Sequence, residues 1–73
     1  MIGPDGKPLN KAAILAAIAV YGSESRGSAA FAKIPRALVT ILDNLQVGKT
    51  GYVKAMDGQV QLTRGKDGKV VGK

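Results

Sequence analysis

Hydrophobic and polar positions change period along this chain, separating a helical N-terminal part from a strand-like C-terminal part. From Lys11 to Tyr21 the residues Ile14, Leu15, Ile18 and Tyr21 recur at helical spacing, which predicts a first helix with one core-facing stripe. Asn10 stands where an N-cap belongs, and Gly22 where a left-handed C-terminal residue belongs. Beyond the polar stretch from Ser23 to Ser28, Ser28 is placed to cap a short helical segment over Ala29 to Ile34. Pro35 is placed to open a further helix reaching Gln46. Phe31, Ile34, Leu38, Ile41 and Leu45 alternate spacings of three and four, so the apolar edge continues across the proline. Either two helices meet at Pro35 or one helix kinks there.

The period then falls to two. Gly51 to Met56 and Gln59 to Thr63 flank Asp57-Gly58, a strong signal for a two-residue hairpin. Pairing outward from that turn sets Ala55 opposite Val60 and Val53 opposite Leu62 on one face, with Lys54 against Gln61 and Tyr52 against Thr63 on the other. A second Asp-Gly at Asp67-Gly68 predicts another reversal into a short strand at Val70 and Val71, with Lys66 opposite Lys69. Gly3 to Pro8 carries the same turn chemistry at the N-terminus. The expected fold is therefore α+β, one small domain over residues 1–73. It comprises a turn segment at 1–9, two or three short helices within 10–46, and a C-terminal antiparallel β-hairpin or three-stranded meander over 50–72. Its expected core is Ile14, Leu15, Ile18, Phe31, Ile34, Leu38, Ile41, Leu45, Val53, Val60 and Leu62.

Composition narrows the function classes. The chain has 11 Lys and Arg against 5 Asp and Glu, a formal charge of +6, and neither His nor Cys. Without His or Cys there is no disulfide and no usual zinc ligand set, and general acid-base catalysis loses its commonest side chain. Asp5, Glu24, Asp43, Asp57 and Asp67 are scattered, and three of them stand in Asp-Gly turns. Gly48-Lys49-Thr50 resembles the end of a phosphate-binding loop, but Asp43 occupies the place of the required glycine and a strand follows where a helix is needed. No enzyme activity, metal, cofactor or small-molecule substrate is expected. The apolar run Ala12 to Val20 is too short to span a bilayer or serve as a secretory core, so a soluble, unprocessed chain is expected, cytoplasmic or part of a virion.

Two surfaces are candidates for binding. Arg36, Thr40 and Asn44 share the face of the third helix opposite Leu38, Ile41 and Leu45, and their side chains are of the kinds that meet phosphates and base edges. Lys33 and Lys49 flank that helix, while Lys54, Arg64, Lys66 and Lys69 decorate the hairpin, so nucleic acid is the expected partner. An ordinary solvated lysine surface is the alternative reading of the same residues. On the first helix, Ala12, Ala16 and Ala19 form an uncharged face, either an interface for another copy or partner, or simply good helix formers facing water.

The order of helix, short helix, helix ending in Leu42-Asp43-Asn44-Leu45, then Gly51-Tyr52-Val53 and Asp57-Gly58-x-Val60-x-Leu62-Thr63, resembles a winged helix-turn-helix domain over residues 10 to 64. The resemblance implies that the helix beginning at Pro35 is a recognition helix and the Tyr52 to Thr63 hairpin a wing. The leading expectation is thus a small, basic, non-enzymatic nucleic-acid-binding module, with a small transcription regulator as one form of it. The alternatives are a structural or assembly protein of a larger particle such as a phage virion, or an inhibitor docking on an acidic host protein.

Overall fold

In the computed structural model, which describes residues 1–73, three helices lie on one face of a three-stranded antiparallel sheet and the other face is open. The elements run α1 (Lys11–Ser23), α2 (Ala29–Ala32), α3 (Arg36–Asn44), β1 (Thr50–Ala55), β2 (Gly58–Arg64) and β3 (Val70–Gly72), with strand order β1-β2-β3. The extents of 33 × 29 × 17 Å leave room in the thin direction for one helix layer on one sheet. The α+β class and the three-stranded meander follow the alternation and turn signals of the sequence. No helix is long and apolar enough to cross a membrane.

The first two helices start where local chemistry directs. The Asn10 side chain accepts the Ala13 N–H at 2.8 Å, and the Asp57 carboxylate accepts the Lys11 N–H at 2.8 Å from the far end of the chain. Two of the first-turn donors of α1 are thereby satisfied, one locally and one by the β1–β2 turn. Gly22 is not a left-handed terminator: it lies inside α1, which continues to Ser23 and closes with the Glu24 N–H on the Val20 carbonyl. Ser28 caps α2 through the Phe31 N–H, but α2 ends at Ala32 and not at Ile34. Pro35 is the N-cap of α3 and not its first residue, so α2 and α3 are separate helices.

The buried edge continues across the break at Ile34-Pro35 at spacings of four. The buried ridge is Ile34, Leu38 and Leu42, whereas Ile41, expected in the core, is 37% exposed. Leu15 is likewise displaced to the rim at 36% exposure, and Phe31 and Leu45 are partly buried. The core proper consists of Ile14, Ile18, Ile34, Leu38, Leu42, Val53, Val60 and Leu62. Leu15 leans over β3, where a Cβ on Gly72 would come within 2.7 Å of its Cδ2 and 2.9 Å of Ile18 Cδ1, so a side chain there would make both methyl groups move.

The hairpin register also differs from the expected one. Val53 pairs with Val60, Tyr52 with Gln61, Lys54 with Gln59, and Ala55 with Gly58, so the turn residues are Met56 and Asp57. A tight turn centred on Asp57-Gly58 would need Asp57 at positive φ; only Gly58 takes it, at 141°, and no non-glycine residue does. The shift changes each pair sum by two, which keeps Val53, Val60 and Leu62 on the core face. In the second turn Gly65 faces Lys69 and Lys66 lies in the loop, relieving the expected Lys66–Lys69 opposition.

That second turn repeats the first one in the chain. Gly3-Pro4-Asp5-Gly6-Lys7 and Gly65-Lys66-Asp67-Gly68-Lys69 share the pattern Gly-x-Asp-Gly-Lys. In each, the second glycine sits at a φ near 80°, its N–H donates to the first glycine carbonyl, and the Asp side chain accepts the Lys N–H. A type I turn closed by a left-handed glycine explains both.

Candidate nucleic-acid interface

The outer face of α3 presents Arg36, Thr40 and Asn44, all exposed and opposite the buried Leu38 and Leu42. Thr40 donates its hydroxyl to the Arg36 carbonyl at 3.1 Å, leaving its lone pairs outward as acceptors. Lys33 caps the end of α2 and is exposed three residues before Arg36, so two cations mark the start of α3.

At the other end of α3, Arg64 decides the arrangement. Its guanidinium donates to the carbonyls of Leu42 and Leu45, the last of α3, and to the carbonyl of Gly68 in the β2–β3 turn. Expected as a nucleic-acid contact, Arg64 forms a half-buried clasp in which three of its five N–H donors are committed to backbone oxygens. The clasp has a consequence for its neighbours. It holds the Gly65–Lys69 turn against the C-terminal end of α3, and Gly48 and Lys49 also bond to the backbone of Arg64. Lys49, Lys66 and Lys69 are exposed on this end of the fold, beside Asn44. The structure thus groups Lys33, Arg36, Thr40, Asn44, Lys49, Lys66 and Lys69 along and around one helix. Lys54 is not with them; it projects from the open sheet face near the β1–β2 turn.

Asp43 lies on the same helix, and its charge is answered within the fold. It accepts hydrogen bonds from the Arg26 guanidinium and from the Tyr21 hydroxyl, the latter at 2.6 Å. Arg26 in turn lies 5.4 Å from the Phe31 ring centre and 5.8 Å from that of Tyr21. The Arg26 hydrogen bond, reinforced by Tyr21, holds the Asp43 carboxyl below the usual carboxylate range, and the same bond raises the Arg26 guanidinium above its ordinary value. Arg26 and Asp43 form the ion pair of the fold. Three other carboxylates, Asp5, Asp57 and Asp67, accept backbone N–H groups in turns or at the start of α1.

The hairpin tip expected as a wing is not free. Besides the Asp57 bond to Lys11, the Met56 N–H donates to the Leu9 carbonyl, and the Lys11 side chain lies over Gly58. The exposed turn beside α3 is the second one, Gly65–Lys69. On α1, Ala12, Ala16 and Ala19 are exposed as expected, with Leu15 beside them.

Sequence reasoning missed two features. The Arg26–Tyr21–Phe31–Asp43 cluster joins residues distant in the chain and carries no local signal. The Gly-x-Asp-Gly-Lys repeat was readable and shows that the turn expected at Asp67-Gly68 takes the same form as the one at Asp5-Gly6. No protein-family model, no curated protein and no solved structure matches this chain.

Proposed function

We propose that the chain is a small, non-enzymatic nucleic-acid-binding module that holds a phosphate backbone against α3 and the lysine-bearing loops at its two ends. The observation that carries this reading is the one-sided use of charge. Four of the five acidic side chains are engaged in turns, caps or the Arg26 pair, while Lys33, Arg36, Lys49, Lys66 and Lys69 stand exposed with no ion-pair partner. Such a surface attracts polyanions of any sequence. In the winged-helix form of the proposal, α3 enters a groove with Arg36, Thr40 and Asn44 toward the bases, and the Gly65–Lys69 turn, not the Tyr52–Thr63 hairpin, lies on the flanking backbone. A transcription regulator of that kind would add base contacts to the electrostatic term. Fluorescence anisotropy with labelled duplexes of unrelated sequence tests the reading. Binding of all of them at low ionic strength supports it, and no binding there removes it.

The exposed, uncharged Ala12, Ala16 and Ala19 favour a second reading, a component of a larger particle that packs through α1. Ala16→Glu would put a charge into that contact and abolish assembly measured by light scattering, while circular dichroism stays native. A wild type that is monomeric at high concentration, with a mutant indistinguishable from it, rules this reading out.

A further inference from the structure

The sheet is covered by helices on one face only. Pleat alternation places Thr50, Tyr52 and Lys54 of β1, Gln59, Gln61 and Thr63 of β2, and Val71 and Lys73 at β3 on the side away from the helices. This face carries two cationic side chains and several amide and hydroxyl groups, but no acidic side chain. Its aromatic residue, Tyr52, is 62% exposed in a chain whose other two aromatics pack on each other at 5.9 Å. Tyr52 stands opposite Gln61, and Gln61 exchanges both backbone hydrogen bonds with Lys73, so Tyr52, Gln61 and Lys73 form one row across the sheet. Strand spacing puts Lys73 about 10 Å from Tyr52 across the row, and Lys54 about 7 Å from it along β1. Next to the row, Gln61, Thr63, Val71 and Lys73 line a shallow hollow of about 280 Å³.

We propose that this face binds single-stranded nucleic acid, with one base stacked on Tyr52, its flanking phosphates on Lys54 and Lys73, and an adjoining nucleotide in the hollow beside Gln61. Charge complementarity selects a polyanion. The exposed ring flanked by lysines at nucleotide-scale spacing selects one whose bases are unpaired, because a duplex hides its base faces. The Gln61 side-chain amide, which both donates and accepts, and the Tyr52 hydroxyl can meet the edge of any base, so the site is sequence-tolerant. This surface is separate from α3 and shares with it only the class of ligand.

The test uses the full chain with a short single-stranded oligonucleotide and, in parallel, a duplex. Tyr52→Ala is expected to weaken single-strand binding by about 10-fold or more and leave duplex binding unchanged, with Tyr52→Phe close to wild type. The chain has no Trp, so Tyr52→Trp supplies a single reporter whose fluorescence a stacked base quenches. Tyr52 is exposed and outside the core, and circular dichroism checks that each variant folds. Unchanged single-strand affinity in Tyr52→Ala, or an unquenched Trp in the complex, overturns the inference. Duplex binding without single-strand binding overturns it and leaves the α3 proposal standing; binding of an acidic protein but of no nucleic acid overturns both.

Discussion

Replacing Arg64 with Ala separates a structural role from a binding one. The wild-type guanidinium donates to three backbone carbonyls, those of Leu42, Leu45 and Gly68, so the variant strips the end of α3 and the β2–β3 turn together. A hydrogen bond from a charged donor contributes about 1.5–3 kcal/mol, and the Leu42 carbonyl keeps the Leu45 N–H as a second donor when the guanidinium is removed. Arg64 is half-buried, so water reaches some of the freed oxygens, and the expected net loss is about 2–4 kcal/mol, including roughly 0.3–1 kcal/mol for a cation at a helix C-terminus. In a domain of this size each kcal/mol moves the melting midpoint by about 4–8 °C, so the shift is large against a total stability near the low end of about 5–15 kcal/mol. Arg64→Lys keeps the charge but not the fork, and recovers less than half of the loss. The assay is urea unfolding followed by far-UV circular dichroism, with Lys66→Ala as a surface control expected within about 0.5 kcal/mol of wild type. An Arg64→Ala protein as stable as that control, yet equally impaired in nucleic-acid binding, would refute the clasp and restore Arg64 to the binding surface.

Other consequences can be checked on the same protein. Asp57→Ala removes the carboxylate that caps the Lys11 N–H, and should cost about 1 kcal/mol by denaturant titration; a loss confined to the hairpin, with α1 amide exchange unchanged, would contradict the cross-chain cap. Asp43 has a depressed carboxyl pKa in the fold, so its stabilising effect is present above the ordinary carboxylate range and is lost as pH falls through the lowered value. Wild type should therefore lose more stability on acidification than Asp43→Asn, and parallel acid profiles for the two would show that the Arg26 and Tyr21 contacts contribute nothing.

Elements with a local cause were legible in the sequence. Asn10 and Ser28 cap the helices assigned to them, alternation about Val53, Val60 and Leu62 put the right face inward, and Asp67-Gly68 turned the chain into β3. The hairpin register failed because it depended on a contact between distant segments. Asp57-Gly58 alone suits a tight hairpin turn, but the carboxylate is recruited by α1, and only Gly58 adopts positive φ. Ile41 and Leu42 are both apolar neighbours on α3, so periodicity alone did not show that Leu42 is buried and Ile41 lies at the rim. For the interface, helix periodicity correctly set Arg36, Thr40 and Asn44 on one exposed face. Charge counting could not tell Arg64, committed to three carbonyls, from Lys66 and Lys69, which are exposed.

The most direct measurement of the central claim is the salt dependence of nucleic-acid affinity for wild type and for the triple variant Lys49→Ala, Lys66→Ala, Lys69→Ala, whose positions are exposed and outside the core. If these side chains neutralise phosphates beside α3, the slope of log affinity against log salt becomes shallower by about 2–3 on duplex DNA, equally for unrelated sequences, while the fold is unchanged. Identical slopes for the two proteins, or no affinity in wild type at low ionic strength, would contradict it.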